Sequence, residues 1–338
     1  MFSRFHGLLI TLFGLLLAGS TVAQPGKIPA PQVEPPPARD LVAARVNGQA
    51  IPEIAVYRSL MRVPLKRREA ARTEVLNYLI DNTVVDQYLM QLKVSVDAKT
   101  VAENFEKIKK EAADQKKDLQ ALLTELVITE DELRTELTAA LRWDKFVLQQ
   151  GTDKVLQDYF KSNLAMFNGS ETRARHILIP ATAGKKEDAI AKLTALRKNI
   201  EDEVAKAMIA LPGTTDAIKR EQARAKALEK AFAQTALKES TCPSKKDGGD
   251  LGFFPRAGAM VEPFARAAFS LKPYQMSEPV ATEFGFHLIL TTDAKPGKDV
   301  QYEKVKPFVQ EVYGERLREA VLTAYKTRSK IEIVERKK

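Results

Sequence analysis

Cysteine and histidine are both scarce in this chain of 338 residues, which contains one cysteine and three histidines. A single cysteine, Cys242, excludes an internal disulfide framework and a zinc site built on paired cysteines. Aromatic residues are also few, at 7% of the sequence, and no series of them accompanies the lysines and arginines. The fold must therefore be held by an apolar core, which a chain of this length can bury.

The formal net charge of +9 favours acidic partners or surfaces. The basic residues, however, alternate with glutamate along helical stretches, as they do on ordinary solvated helix faces. Without aromatic residues placed to stack on bases, this charge gives little support to a nucleic-acid-binding function. We therefore expect no nucleic-acid partner.

The N-terminus has the pattern of a secretory signal peptide. Arg4 precedes an apolar run from Gly7 to Ala18, and the small residues after it end in Thr21-Val22-Ala23. The run is shorter than the roughly 20 residues that a membrane-spanning helix needs. We expect cleavage after Ala23, which removes residues 1–23. The remaining chain is then expected in the periplasm, without a stable membrane span. An uncleaved membrane anchor is the alternative.

A proline-rich stretch separates this leader from the rest of the chain. Residues 24–40 contain six prolines, which favour an extended linker over a packed core. After the linker, apolar residues recur at helical spacing between Arg67 and Lys93, and Thr129 with Glu132 forms a capping-box pattern. The sequence therefore predicts a mainly helical region over residues 41–168.

The pattern changes after residue 170, where short β-prone runs appear. Ala174 to Ile179 and Phe286 to Leu290 each indicate a strand that contains one histidine. Two helical stretches lie between them, separated by Leu211-Pro212-Gly213. Helices inserted between the strands of a small antiparallel sheet predict an α+β fold.

His176 and His287 are the two histidines outside the leader. A lone histidine in a strand is most often a hydrogen-bonded core residue. Two histidines in separate strands also suggest a pair whose imidazoles hydrogen-bond and fix each other's tautomer. The residues alone leave both interpretations open.

The segment from Cys242 to Phe254 is the second unusual feature, with glycines at positions 248, 249 and 252. It lacks the G-x-x-x-x-G-K-[ST] pattern of a phosphate-binding loop, the alternating oxygen ligands of a calcium loop and the second thiol of a zinc site. Its simplest interpretation is a tight turn whose glycines adopt positive φ, with Cys242 as a small buried apolar residue.

Taken in order along the chain, these blocks resemble the parvulin, or PpiC-type, peptidyl-prolyl cis/trans isomerases. The matching residues are His176-Ile177-Leu178-Ile179, Cys242-Pro243-Ser244, Gly248-Gly249-Asp250-Leu251-Gly252, Met260-Val261-x-x-Phe264, Ala268-Phe269 and Phe284-Gly285-Phe286-His287. The resemblance implies a parvulin domain over residues 171–296, with a small antiparallel sheet, surrounding helices and an insertion at about residues 200–225.

The resemblance also implies the active-site residues. His176 and His287 would form the histidine pair, and Cys242 would face the substrate peptide bond, so these three are the predicted catalytic residues. The predicted substrate-binding residues, which would line an apolar pocket for the proline ring, are Met260, Phe264, Phe254, Leu251, Phe269 and Phe286. Pro180 stands where phosphate-selective parvulins place a lysine, so we expect no phosphate requirement. We expect Asp250 to shape the turn and not to contact substrate.

Rotation about a prolyl bond suits these residue types. The barrier is about 18–20 kcal/mol because the amide is conjugated, and no covalent bond has to break. A site need only hold the ring in an apolar pocket and bind the twisted amide more tightly than either planar form. No nucleophile, metal or cofactor is expected.

The N-terminal region carries a second, looser resemblance. Val42 to Val46, followed by Asn47-Gly48 and helices, resembles the N-terminal module of exported chaperone-isomerases of the SurA and PpiD type. The resemblance implies that residues 300–338, a helix followed by the strand-like Ile331 to Val334, return to complete a mainly α-helical chaperone-like domain.

This arrangement implies a class of partner. The expected partners are unfolded or partly folded exported polypeptides, with outer-membrane proteins as one class. The alternative is a parvulin-fold chaperone that only binds prolyl-containing segments and has little turnover.

Overall fold

The computed structural model describes residues 35–180 and 186–335. The predicted signal peptide, its cleavage site and most of the linker lie outside the described residues. The helices in chain order are α1 (Glu53–Leu60), α2 (Leu65–Gln91), α3 (Ala98–Asp114), α4 (Leu119–Glu125), α5 (Glu130–Gln150), α6 (Asp153–Ser162), α7 (Lys186–Ile209), α8 (Ala217–Glu239), α9 (Glu262–Ser270) and α10 (Tyr302–Tyr325). The strands are β1 (Val42–Val46), β2 (Gln49–Pro52), β3 (Glu171–Ile179), β4 (Asp250–Pro255), β5 (Gln275–Met276), β6 (Val280–Thr282), β7 (Gly285–Lys295) and β8 (Ile331–Ile333).

The described residues divide into two compact units. One contains the residues up to Tyr159 together with those from Lys306, and the other is Phe160–Val305. Helical and antiparallel sheet elements occur in both, so the predicted α+β class is confirmed. Within the described ranges, no helix has both the length and the apolar character needed to cross a bilayer.

The first unit has an antiparallel sheet with the strand order β2-β1-β8. The last strand therefore pairs with the first, with Val46 opposite Ile331. This agrees with the return of residues 300–338 to the N-terminal domain that the resemblance implies. Asn47 strengthens this pairing, because its backbone N–H donates to the Lys330 carbonyl at 2.8 Å and its side-chain oxygen accepts from the Lys330 N–H at 2.8 Å.

Helix packing in the first unit follows the apolar spacing of the sequence. Leu76, Ile80 and Val84 recur every four residues on α2 and are buried together with Val46 of the sheet. The predicted capping box at the start of α5 is confirmed. The Thr129 hydroxyl accepts from the Glu132 N–H at 3.1 Å, and the Glu132 carboxylate accepts from the Thr129 N–H at 2.8 Å.

The second unit is built on an antiparallel sheet with the order β4-β3-β7-β5, and β6 also pairs with β7. The central strands β3 and β7 place Ile177 opposite Leu288 and Leu178 opposite His287. Because successive side chains of a strand point to opposite faces, each strand contributes to two separate apolar clusters.

Helices cover the two faces of this sheet differently. On one face, α7 and α8 pack on Ile177 and Leu288 through buried residues that include Leu193 and Phe232. On the other face, α9 packs on Ala174 of β3 and Ile289 of β7 through Phe264 and Ala268. The two strand histidines lie on this second face, next to Phe264 of α9.

The insertion expected at about residues 200–225 falls on the far ends of α7 and α8 and the loop between them. Asp216 caps α8, because its carboxylate accepts from the Lys219 N–H at 2.9 Å. Ile209 and Ile218, next to the loop, are exposed. This end of the helical hairpin therefore extends beyond the apolar core that anchors its other end.

Candidate active site

The structure brings His176 and His287 into direct contact. On the paired strands His176 lies opposite Ile289 and His287 lies opposite Leu178, so the histidines are diagonal neighbours on one face. Their Nδ1 atoms are 3.0 Å apart, and the rings are stacked at 15° with centroids 5.3 Å apart. One Nδ1 must donate and the other accept, so the pair shares a single proton between these two atoms.

Burial keeps both imidazoles neutral at neutral pH. His176 is 5% exposed and His287 is 4% exposed. Burial lowers the pKa of His176 to about 4. Burial, and secondarily the neighbouring His176, lowers the pKa of His287 to about 4. The pair therefore acts as a hydrogen-bonding unit and not as a charged one.

Two hydroxyl groups extend the pair into a chain of four side chains. The Ser244 Oγ is 3.1 Å from His176 Nε2, and the Thr282 Oγ1 is 2.8 Å from His287 Nε2. The chain is complete in either direction, since a hydroxyl can donate or accept and each neutral imidazole has one N–H. Reversing both tautomers reverses every hydrogen bond without adding charge.

Short-range geometry explains how Thr282 reaches the pair. It ends β6 in a hairpin with β7, in which Thr282 lies opposite Gly285 and Val280 lies opposite His287. The Thr282 hydroxyl also accepts the backbone N–H of Phe284 at 3.1 Å. The tight turn therefore fixes the hydroxyl next to the imidazole that follows two residues after the turn.

The segment from Ser240 to Gly249 runs beside β3 and is attached to it at both ends. At one end the Thr241 N–H donates to the Leu178 carbonyl at 3.0 Å; at the other the His176 N–H donates to the Gly249 carbonyl at 2.9 Å. Between these points the 3₁₀ turn Pro243–Asp247 projects Ser244 toward His176.

Glycine is required where this segment meets β3. Gly249 has a φ of +79°, and a Cβ there would lie 2.4 Å from the His176 carbonyl oxygen. Gly248, with a φ of +64°, would place a Cβ 2.6 Å from the Ala233 Cβ on α8. The predicted turn with positive-φ glycines is confirmed, and the close backbone approach gives its physical reason.

Cys242 lies at the start of the 3₁₀ turn and is half-buried. Its backbone N–H donates to the Ser240 hydroxyl at 3.3 Å. Within the described part of the chain, the hydrogen bond from this segment to the histidine pair comes from Ser244, and none joins the Cys242 thiol to either imidazole. A catalytic role for Cys242 stays a prediction.

An apolar wall adjoins the histidine pair. The Phe264 ring meets both imidazoles edge-on, with centroids 5.5 Å from His176 and 5.2 Å from His287. Phe254 supports it from behind, at 6.1 Å between the ring centroids. Both phenylalanines are buried, whereas Leu251, Met260 and Phe269 of the same cluster are only partly buried. The last three side chains therefore keep some surface accessible to solvent, and their role in binding substrate stays a prediction.

The sequence that carries this site matches a known family. Residues 176–293 fit the family model described as Rotamase: PPIC-type PPIASE domain. The chain contains a PpiC-type rotamase domain. The family match begins at the first histidine of the pair and ends six residues after the second.

Named relatives extend the similarity in sequence. Over 179 residues, 53% of this chain, the sequence is 32% identical to foldase protein PrsA 1 of Bacillus cereus, and the aligned part covers 47% of that protein. The chain thus spans about half the length of this relative. Over 274 residues, 79% of this chain and 81% of the relative, it is 29% identical to Cbf2 of Campylobacter jejuni, provisionally named as a peptidyl-prolyl cis-trans isomerase.

Solved structures are similar at a lower level. A PrsA peptidylprolyl isomerase of Bacillus anthracis covers 74% of this chain and 96% of its own, at 24% identity and a TM-score of 0.39. A SurA-like chaperone structure of Campylobacter jejuni covers 88% of this chain and 100% of its own, at 21% identity and a TM-score of 0.28.

The position of Phe286 contradicts one of the site predictions for the rotamase domain. It precedes His287 on β7 and therefore points to the opposite face of the sheet. It is buried there with Ile177 and Leu288, under α7 and α8. The prediction that Phe286 lines the proline pocket is therefore wrong.

Asp250 has the structural role that the sequence suggested. Its carboxylate accepts the backbone N–H of Gly252 at 2.9 Å within the turn and pairs with Arg173 and Arg175 on β3. Both arginines and the hydrogen bonds hold the pKa of the Asp250 carboxyl below its ordinary value despite partial burial, which opposes the shift. The hydrogen-bonding capacity of this carboxylate is therefore used within the protein, by Gly252, Arg173 and Arg175.

Two groups in the rotamase domain were missed as site residues. Ser244 was part of the Cys-Pro-Ser block but received no role, and Thr282 was not singled out. A two-residue turn between Thr282 and Gly285 was the available signal for Thr282. No sequence signal pointed to the Ser244 hydroxyl, because its contact depends on how the 3₁₀ turn docks against β3.

Proposed function

We propose that the rotamase domain catalyses cis/trans isomerisation of peptide bonds that precede proline, at the surface formed by the histidine pair and the apolar wall. The observation that carries the proposal is the neutral hydrogen-bonded chain from Ser244 through His176 and His287 to Thr282, next to Phe264. The family match and the names of the relatives support the same activity.

The residues suit a reaction that needs no charge and no covalent intermediate. In the twisted amide the conjugation is lost, and the proline nitrogen becomes pyramidal and more basic. Uncharged donors and acceptors that can reverse direction accommodate this change without a desolvated ion. Met260, Leu251 and Phe269, partly buried beside the pair, supply an apolar surface for the proline ring.

Assigned roles follow from these positions. His176 and His287 shape the polar side of the site, and Phe264 fixes the tilt of both rings. Met260 and its neighbours bind the proline ring. Cys242 is a polar neighbour of the peptide bond that rotates, and it does not attack that bond. Pro180 follows β3 directly, which supports substrates without a phosphate group.

We also propose that the substrates are unfolded or partly folded exported polypeptides. The N-terminal leader pattern supports export to the periplasm, and the first unit exposes apolar side chains that can contact extended chains. These exposed residues are Leu65, Met90, Leu92 and Leu148. Several relatives carry the name foldase, which supports the same class of substrate.

The test is turnover of a short X–Pro peptide by the full chain. We expect the wild-type chain to accelerate isomerisation, and both His287→Ala and Met260→Ala to reduce kcat/KM. Met208→Ala is the matched control, because Met208 is also a partly buried methionine but packs against the apolar cluster of α7 and α8, on the side of the sheet away from the histidine pair. A folded wild-type chain that binds the peptide without accelerating its isomerisation would instead establish the binding-only alternative.

A further inference from the structure

Arg175 occupies an unusual place beside the site. It precedes His176 on β3 and so points to the face of the sheet away from the histidine pair. Its side chain is only 14% exposed. Its guanidinium nevertheless reaches the segment that carries Ser244, because that segment approaches the middle of β3 at Gly248 and Gly249.

The guanidinium uses two sides of its donor fork. On one side, Nη1 donates to the carbonyls of Asp247 at 2.8 Å and Gly248 at 3.2 Å. On the other side, Nε and Nη2 donate to a carboxylate oxygen of Glu229 on α8, at 3.2 and 2.9 Å. Arg175 therefore ties the end of the 3₁₀ turn to both β3 and α8.

Those carbonyls lie where the turn is closed. The Gly249 N–H donates to the Ser244 carbonyl at 2.9 Å, and the Gly249 carbonyl accepts from the His176 N–H at 2.9 Å. A shift at residues 247–249 would therefore move Ser244 and the backbone of His176 relative to each other. The Ser244 Oγ to His176 Nε2 hydrogen bond depends on that spacing.

We infer that Arg175 is a positioning residue of the rotamase site, which holds the Ser244-bearing turn so that the Ser244 hydroxyl stays hydrogen-bonded to His176. The inference rests on the proposed isomerase function and adds a residue that contacts neither substrate nor imidazole. It also makes α8 part of the support of the site, through Glu229.

A neighbouring arginine shows why the contact is specific. Arg173, two residues earlier on β3, is 44% exposed and is hydrogen-bonded to the Asp250 carboxylate. Arg175 pairs with the same carboxylate at 3.6 Å but also donates to the two backbone carbonyls. Lysine retains the charge at position 175 but cannot supply a planar fork to two partners.

The experiment compares the full-length wild-type chain with Arg175→Lys, Arg175→Met and Glu229→Gln. Arg224→Met is the control, since it removes an arginine ion pair with Glu221 on α8 that is not attached to the turn. Three quantities are measured: kcat and KM for an X–Pro peptide, the melting temperature, and the pH titration of the histidine ring nitrogens by NMR.

We expect Arg175→Lys to stay folded, to lower kcat by about ten-fold and to leave KM nearly unchanged, because positioning and not binding is lost. Water reaching His176 should raise its pKa from about 4 toward the ordinary value. Arg224→Met should change neither quantity. If Arg175→Met does not fold, the lysine variant and the milder Glu229→Gln carry the test.

The outcomes separate the two proposals. Arg175→Lys and Glu229→Gln with wild-type kcat and wild-type histidine titrations would overturn the positioning role, whatever the melting temperature. If the wild-type chain has no turnover, the isomerase proposal fails, and the histidine titration alone still decides whether Arg175 holds the turn against His176.

Discussion

The Nδ1 atoms of His176 and His287 lie 3.0 Å apart on neighbouring strands. This contact converts two isolated strand histidines into one buried unit with a single shared proton, continued by a hydroxyl at each end. The activity expected of the site depends on two properties of this unit: both imidazoles stay neutral, and the direction of the hydrogen bonds along it can reverse.

The two hydroxyl groups should matter for activity more than for binding. We predict that Thr282→Val and Ser244→Ala each lower kcat/KM by up to about ten-fold, since each removes one hydrogen bond of the chain. Thr282→Val keeps the shape of the side chain but leaves the Phe284 N–H without this acceptor. Peptide isomerisation kinetics would check this, with Thr194→Val, which loses only a hydroxyl on an exposed face of α7, as the control. Equal kinetics for Thr282→Val and Thr194→Val would contradict the role of the chain.

Stability should depend on pH through the histidine pair. In the folded state both pKa values are about 4, below the ordinary value of 6.5. Between pH 6.5 and 4 the unfolded chain therefore binds protons that the folded chain does not, so the free energy of unfolding falls as the pH falls. The loss is at most about 3 kcal/mol for each histidine.

Urea unfolding at pH 7, 6 and 5 measures this effect. The double variant His176→Gln/His287→Gln should show a shallower decrease in stability than the wild type over the same range. Activity of the wild type should stay level from pH 8 to about pH 5, because the pair remains neutral. An activity loss centred near pH 6.5 would show that the imidazoles are not protected from protonation.

Gly249 should tolerate no side chain. Gly249→Ala would need both an unfavourable φ and a Cβ 2.4 Å from the His176 carbonyl, and we predict a destabilisation of about 2 kcal/mol or more. Gly169→Ala is the matched control, because Gly169 also has positive φ, +75°, but has no atom within 4 Å of the added Cβ. Chemical denaturation of the two variants separates the strain of φ from the clash. Similar losses in both would show that the close approach is not important.

The two faces of the rotamase sheet should respond differently to truncation. Phe286→Ala should lower stability by about 3–5 kcal/mol without a specific rise in KM, because Phe286 lies in the core under α7 and α8. Phe269→Ala should raise KM with a smaller loss of stability, since this residue is partly exposed beside Phe254. Melting temperatures together with KM values test the assignment. A raised KM for Phe286→Ala in a stable protein would instead show that Phe286 does line the substrate pocket.

Export leaves a direct chemical signature. We predict that a Gram-negative host releases a periplasmic form that begins at Gln24, which follows the cleavage site expected after Ala23. N-terminal sequencing of the periplasmic fraction measures this. Recovery of the chain only in the membrane fraction, beginning at Met1, would support an uncleaved anchor.

Much of the local structure could be predicted from the sequence because it depends on neighbours in the chain. The capping box of Thr129 and Glu132 and the break between α7 and α8 both follow from short patterns. The pairing of β1 with β8 is long-range, and it was expected only from the resemblance to exported chaperone-isomerases. The order of motifs also located the rotamase domain, which no single block would have done.

The site itself needed the register of the sheet. Strand alternation alone places Phe286 and His287 on opposite faces, so the error over Phe286 was avoidable from the sequence. The Ser244 contact was not predictable, since it depends on how one turn docks on β3 through Gly249 and Arg175. Long-range contacts of this kind have no periodic signature in the chain.

The central claim is that the histidine pair and its apolar wall accelerate prolyl isomerisation in unfolded polypeptides. The most direct measurement is the refolding of a model protein whose slow phase is limited by a prolyl bond, with catalytic amounts of the full chain. The account predicts that the wild type accelerates the slow phase and that folded His176→Ala/His287→Ala does so far less. A slow phase unchanged by stoichiometric wild-type chain, or accelerated equally by the double variant, would contradict it.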